Sequence, residues 1–178
     1  MDSDSLHNRN CHYLSLGVVV SKVQTGRLGA SIEGDFVVFV IGMRINKLWK
    51  AHKWLPAFTA MGTMLSQLAR HPEKGLLGAR TMVSGRTITV LQYWRSFEQL
   101  EHFARDKDDP HLEAWRTFNR RVGTNGDVGI FHETYKVAAD QYECIYANMP
   151  IMGLALAGSS VPVARRGEQA SERMGNAA

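Results

Sequence analysis

Asp35-Phe-Val-Val-Phe-Val-Ile-Gly-Met-Arg44-Ile-Asn46 is the stretch that decides the fold. Between Asp35 and Arg44 it is apolar without a break, rich in β-branched and aromatic residues and free of Pro, as a strand buried on both faces should be. On its C-terminal side, Trp49, Lys53, Pro56, Ala57, Ala60, Met64, Leu65 and Leu68 recur at helical spacings between Lys47 and Arg70, with Pro56 marking a start or a break. Two further strands, Leu76 to Val83 and Arg86 to Trp94, flank the turn signal Ser84-Gly85 and predict an antiparallel hairpin. Ser96 is placed as an N-cap, with Glu98 and Glu101 suited to the helix dipole and Phe97, Leu100 and Phe103 repeating behind it. Asp109-Pro110 opens another helix, His111 to Val122, which Gly123 and Gly126 end. Asp127 to Val137 alternates as a last long strand, and Tyr142 to Tyr146 suggests a short one.

The order strand, helix, strand, strand, helix, strand predicts an α+β fold, a ferredoxin-like antiparallel sheet with helices on one face. The uncovered apolar face then calls for a second copy, so the expectation is a homodimer, with a ligand-sized space between its two sheets. Around the domain at 34–147, residues 1–33 show no dominant period and read as an N-terminal arm. Residues 148–163 are apolar and Gly-punctuated, a lid or edge segment, and 164–178 read as a disordered tail.

With 178 residues, 44% apolar and 21% charged, the chain has the composition of one globular domain. The longest apolar runs, Phe36 to Met43 and Pro150 to Gly158, are far below the roughly 20 residues that span a bilayer. Asp2 and Asp4 stand where a signal peptide would be basic, so no membrane role and a cytoplasmic location are expected. Cys11 and Cys144 make neither a disulfide framework nor a zinc site. The net charge of +4 is spread among acids, as at Arg95, Glu98, Glu101, Arg105 and Asp106, which argues against a nucleic-acid stripe. Metal-ligand spacing and phosphate-cradling loops are both missing, and His132 and Glu133 point to opposite faces of a strand.

Strand alternation sorts the residues that could carry chemistry. Val37, Phe39, Ile41, Met43 and Ile45 are expected to face the helices, which sends Phe36, Val38, Val40, Gly42, Arg44 and Asn46 towards the pocket. On the third strand Ile88, Val90, Gln92 and Trp94 alternate with Thr87, Thr89, Leu91 and Tyr93, and on the last Val128, Ile130, His132 and Thr134 with Gly129, Phe131, Glu133 and Tyr135. Either set fits a pocket. His132 is the candidate acid or base, since imidazole exchanges protons near neutral pH. Arg44 offers a planar fork for an anionic or oxygenated ligand. His111, Trp115 and Asn119 share one helix face at i, i+4 and i+8. Trp94, Gln92 and Phe36 complete the substrate-contact candidates. Ordinary roles compete with these: His132 bonded to backbone or Glu133, Trp115 anchoring the core, Arg44 paired with a carboxylate.

Several strings in order, Phe39-Val-Ile-Gly-Met-Arg-Ile-Asn-Lys-Leu-Trp-Lys, Gln92-Tyr-Trp-Arg-Ser-Phe, Asp109-Pro-His-Leu-Glu-Ala-Trp-Arg-Thr-Phe-Asn-Arg-Arg-Val-Gly, Gly129-Ile-Phe-His-Glu-Thr-Tyr and Tyr146-Ala-Asn-Met-Pro, resemble the fumagillin-cluster-type monooxygenase-like family. That family sits within the antibiotic-biosynthesis-monooxygenase group, and the resemblance covers about residues 30–155. It implies a dimeric α+β barrel from secondary metabolism that oxygenates an electron-rich aromatic, polyketide or terpenoid-like small molecule without metal or flavin. In that scheme His132 is the base, Arg44 and Asn119 hold the substrate or oxyanion, and Trp94 and Trp115 are walls. Haem-degrading relatives in the wider group carry an Asn on the first strand, which this strand, apolar until Arg44, does not reproduce.

Three readings leave the sequence: a cofactor-independent monooxygenase, a haem enzyme on the same barrel with His132 or His111 as axial ligand, and a non-catalytic dimer that binds a small molecule.

Overall fold

The structure, a computed structural model, describes residues 22–106 and 125–175. His111, Trp115 and Asn119, with the helix expected around them, lie outside the described residues, as does Cys11.

The elements are β1 Gln24–Ser31, β2 Phe36–Ile45, α1 Ala51–Arg70, β3 Leu76–Ser84, β4 Thr87–Trp94, α2 Phe97–Arg105, β5 Val128–Val137, β6 Tyr146–Met149, α3 Leu154–Ala157, β7 Ser159–Pro162 and α4 Ala170–Arg173. Four strands make one sheet in the order β3-β4-β2-β5, with every neighbouring pair antiparallel. This is the ferredoxin-like order. The stretch that decides the fold is central: β2 pairs with β5 from Phe36 to Ile45 and with β4 from Val37 to Arg44. A strand paired on both sides and packed on both faces explains the unbroken apolar run.

α1 runs through Pro56 as one helix, and α2 begins where Ser96 Oγ accepts from the Gln99 amide at 3.2 Å. The β3–β4 loop turns on Gly85-Arg86, with Gly85 at φ +56, one residue beyond the expected turn. Among the described residues no helix is long and apolar enough to cross a membrane.

Three segments depart from expectation. Gln24–Ser31, placed in the irregular arm, is a strand at the centre of a second sheet, β6-β1-β7. Its residues, QTGRLGAS, have little strand propensity, and partners more than a hundred positions away impose the pairing. The segment at 148–163, read as a lid or edge segment, supplies β7 and α3 to this second layer. Residues 164–175, expected to be disordered, are tied down by Arg173. That buried guanidinium pairs with Glu143 at 2.5 Å and donates to the Gly167 and Glu168 carbonyls.

The second layer covers part of the sheet face turned away from α1 and α2, burying Ile32, Phe36, Tyr93 and Tyr142 together. Thus one chain supplies some of the cover that the sequence assigned to a partner. On the helix side, Val37, Leu68, Trp94, Leu100 and Phe103 form the main core. The β2–α1 connection is held by Asp127, a buried carboxylate with Lys47, Lys50 and Lys53 at 2.9, 2.7 and 2.8 Å. Hydrogen bonds from these ammoniums, Lys47 first, hold the Asp127 carboxyl well below the usual carboxylate range.

Candidate active site

A cavity of about 370 Å³ lies between the helix-side face of the main sheet and the helices α1 and α2. α1 makes room for it. Ala57, Ala60, Met61 and Met64, at i, i+3, i+4 and i+7, present small and flexible side chains towards the sheet. The floor comes from the strand residues that alternation left ambiguous: Val90, Gln92 and Trp94 of β4, and Ile130, His132 and Thr134 of β5. From β2 come Phe39, Ile41 and Met43, the set expected to face the helices.

Two predicted site residues lie away from this cavity. Phe36 lies on the opposite face, its ring edge-on to Tyr142 with centroids 5.3 Å apart. Arg44 is exposed and also turned away, with Nε donating to Asn46 Oδ1 at 3.1 Å. The sequence reading put the ligand between two sheets, on the face to which Phe36 and Arg44 belong, whereas this cavity lies on the helix side. The small residues of α1 are the signal that could have located the cavity.

His132, Trp94 and Gln92 are brought together. His132 stands opposite Ile41 across the β2–β5 ladder, its ring 6.0 Å from that of Phe39 and tilted by 44°. Glu133 does not bind it; on the other face, Glu133 accepts a hydrogen bond from the Tyr135 hydroxyl. Trp94 is 0% exposed and Gln92 only 2%, and Trp94 Nε1 donates to Gln92 Oε1 at 2.8 Å. Phe103 packs on the Trp94 ring at 5.5 Å and fixes the indole. Residues missed at the sequence level are Thr134, two positions from His132 and on the same face, and Glu101, paired with Arg105 at 2.8 Å.

Among the described residues His132 and Glu101 are the only His, Asp or Glu side chains of the wall, and neither Lys nor Arg lines it. No group of three or more His, Cys, Asp or Glu among the described residues could hold a metal ion. The arrangement suits an apolar molecule of modest size with few polar atoms, met by one imidazole, one carboxamide and one hydroxyl, with the Glu101 carboxylate paired to Arg105.

A family model described as "Monooxygenase af470-like" matches residues 36–154. The curated protein Monooxygenase af470 of Aspergillus fumigatus is 28% identical over 124 residues, 65% of this chain and 44% of that protein. This chain thus spans less than half the length of that relative. Two solved structures of aldoxime dehydratase, one in complex with butyraldoxime, align with TM-scores of 0.60 and 0.59 at 17% identity. They cover 78% and 77% of this chain and 42% and 41% of theirs, and the likeness is one of fold. With two thirds of its length inside the family model, the chain belongs to the monooxygenase af470-like family.

Proposed function

We propose that this member of the monooxygenase af470-like family oxygenates an electron-rich, largely apolar small molecule without a cofactor, aromatic, polyketide and terpenoid-like compounds being the substrate classes. The observation that carries the reading is His132, a proton acceptor set in the wall of a predominantly apolar cavity. A neutral imidazole takes a proton from an activated CH₂, and the resulting carbanion or enolate reduces dioxygen. The balance closes on the substrate alone: the CH₂ becomes C=O with one oxygen atom, and the other leaves as water. The apolar wall favours a neutral substrate and keeps bulk water from the carbanion.

Within this proposal Trp94 and Gln92 contact the substrate, and Asn119, His111 and Trp115 keep the holding and wall roles inferred from sequence. Arg44 and Phe36 drop out. A homodimer belongs to the same reading, because Phe131 and Tyr135 on the outer face of edge strand β5 remain 36% and 51% exposed.

Haem is the second reading, favoured by His132 alone as an axial ligand. The described wall fits it poorly, since no Lys or Arg there can meet two propionates and Glu101 opposes them.

The test is oxygen consumption with anthrones and related activated-methylene aromatics, beside an absorption spectrum of protein from haem-supplied cells and its mass in solution. We expect colourless dimeric protein and substrate-dependent uptake that His132→Ala lowers about 100-fold or more, with the melting midpoint unchanged. Uptake unaffected by His132→Ala refutes the role of that residue, a Soret band at one haem per chain supports the haem reading, and binding without uptake leaves a non-catalytic binder.

A further inference from the structure

The carboxamide of Gln92 has a defined direction. An indole N–H only donates, so the contact from Trp94 Nε1 at 2.8 Å must fall on Oε1, and the Nε2 group is the free arm. The usual ambiguity between the two ends of an amide is thereby removed. Gln92 is 98% buried and lines the cavity, and its side-chain hydrogen bond among the described residues is the one that Oε1 accepts from Trp94. Its cross-strand neighbours, Phe39 and Ala79, carry no acceptor on their side chains. An amide donor that borders an apolar cavity and bonds no described side chain is available to a ligand that brings an acceptor oxygen into that cavity.

We propose that Gln92 Nε2 is a carbonyl-binding donor, so that the cavity selects planar apolar ketones or quinones over hydrocarbons and over ligands presenting only a hydroxyl hydrogen there. Trp94 is the positioning residue, holding Oε1 so that both N–H bonds of Nε2 are offered to the ligand. The strand register separates the two polar groups: Gln92 lies in the row Gln92–Phe39–Thr134, and His132 on β5 lies one pleat along, beyond β2. At about 4.8 Å per strand and about 6.7 Å per pleat, their Cα atoms stand roughly 12 Å apart. A ketone of two or three fused rings thus meets Gln92 at its oxygen while presenting another edge to His132. This inference rests on the cavity being the ligand site, and the experiment separates the two.

The probes are 9-fluorenone, whose carbonyl has no removable hydrogen beside it, and fluorene, of nearly the same shape without the oxygen. Affinities are measured for both with the wild-type chain, Gln92→Leu, Gln92→Met and Trp94→Phe, and the carbonyl stretch of bound fluorenone is read by infrared difference. The expected result is a fluorenone-over-fluorene preference that falls about tenfold in Gln92→Leu or Gln92→Met. The carbonyl stretch of the bound ketone should lie below its value in hexane for wild type and return towards that value in the same variants. Trp94→Phe should leave both ligands bound and split the band into shifted and unshifted populations, a change that mere loss of packing would not produce. Both probes binding with an unshifted carbonyl, or with the same preference in wild type and the Gln92 variants, overturns the proposal and leaves the cavity reading standing. Failure of both probes to bind the wild-type chain overturns the cavity reading and this inference together. Should Gln92→Leu not fold, the wild-type stretch and Gln92→Met still decide.

Discussion

The two faces of the four-stranded sheet are built from alternate residues of the same strands, yet they meet opposite fates. Tyr93 and Phe36 look away from the helices into a closed cluster with Ile32 and Tyr142. Trp94 and Gln92, next to Tyr93 in sequence, look towards α1 and border about 370 Å³ of space. Interiors pack densely and voids cost stability, so a domain that packs a second layer on part of one face of its sheet and leaves a cavity on the other is keeping room for something. Polar groups follow the same division. On the closed face the phenol of Tyr142 bonds the Ile32 amide at 2.7 Å, whereas on the open face the Gln92 carboxamide, held by Trp94 at its oxygen, borders the cavity.

This comparison can be broken most forcefully on the closed face. Phe36→Ala should cost about 3–5 kcal/mol in chemical denaturation, while fluorenone binding stays within about twofold of wild type. A loss of binding equal to the loss of stability would mean the two faces are not independent. Asp127→Asn comes next: it deprives three ammoniums of their shared carboxylate and should lower the melting midpoint by on the order of 10 °C. Because the folded pKa of Asp127 lies below the unfolded value of about 3.9, its contribution is complete above about pH 5. It fades as the pH falls below that, so the gap between wild type and Asp127→Asn should narrow steadily in acid melts.

A matched pair sharpens the contrast with a smaller effect. Ala60→Leu on the cavity side should alter stability by less than about 1 kcal/mol and weaken fluorenone at least tenfold by filling the space. The same change at buried Ala155, on the closed side, should cost about 1–3 kcal/mol by overpacking and leave binding alone. The smallest effect is alkaline. Burial, with Tyr146 and Cys144 close by, pushes the Tyr93 phenol up to about 12. Stability should therefore decline from about pH 10 upwards as only the unfolded chain ionises, and Tyr93→Phe should flatten that decline in a pH series of melts.

The elements of the main sheet and its two described helices were legible because each carries a local signal. Phe36–Ile45 reads as a central strand from its unbroken apolar run, and Ser96 marks the start of α2 with an N-cap that the structure makes. Of the site, His132, Gln92 and Trp94 were legible as candidates, although alternation could not say that they share a face with Phe39 rather than Phe36. Arg44 and Phe36 were misjudged for that reason. β1 was illegible because nothing in Gln24–Ser31 favours a strand until β6 and β7 arrive to pair with it.

What the sequence by itself determined is the set of residues that travel together: a period of two commits Gln92 and Trp94 to one face and Tyr93 to the other, whatever packs on either. Which face closes and which stays open was decided only in the tertiary structure. That choice depends on how the volumes of Ala57, Ala60, Met61 and Met64 sum against the sheet, and on a second layer drawn from both ends of the described chain. Periodicity records direction along a strand, whereas filling is a property of elements brought together across the whole sequence.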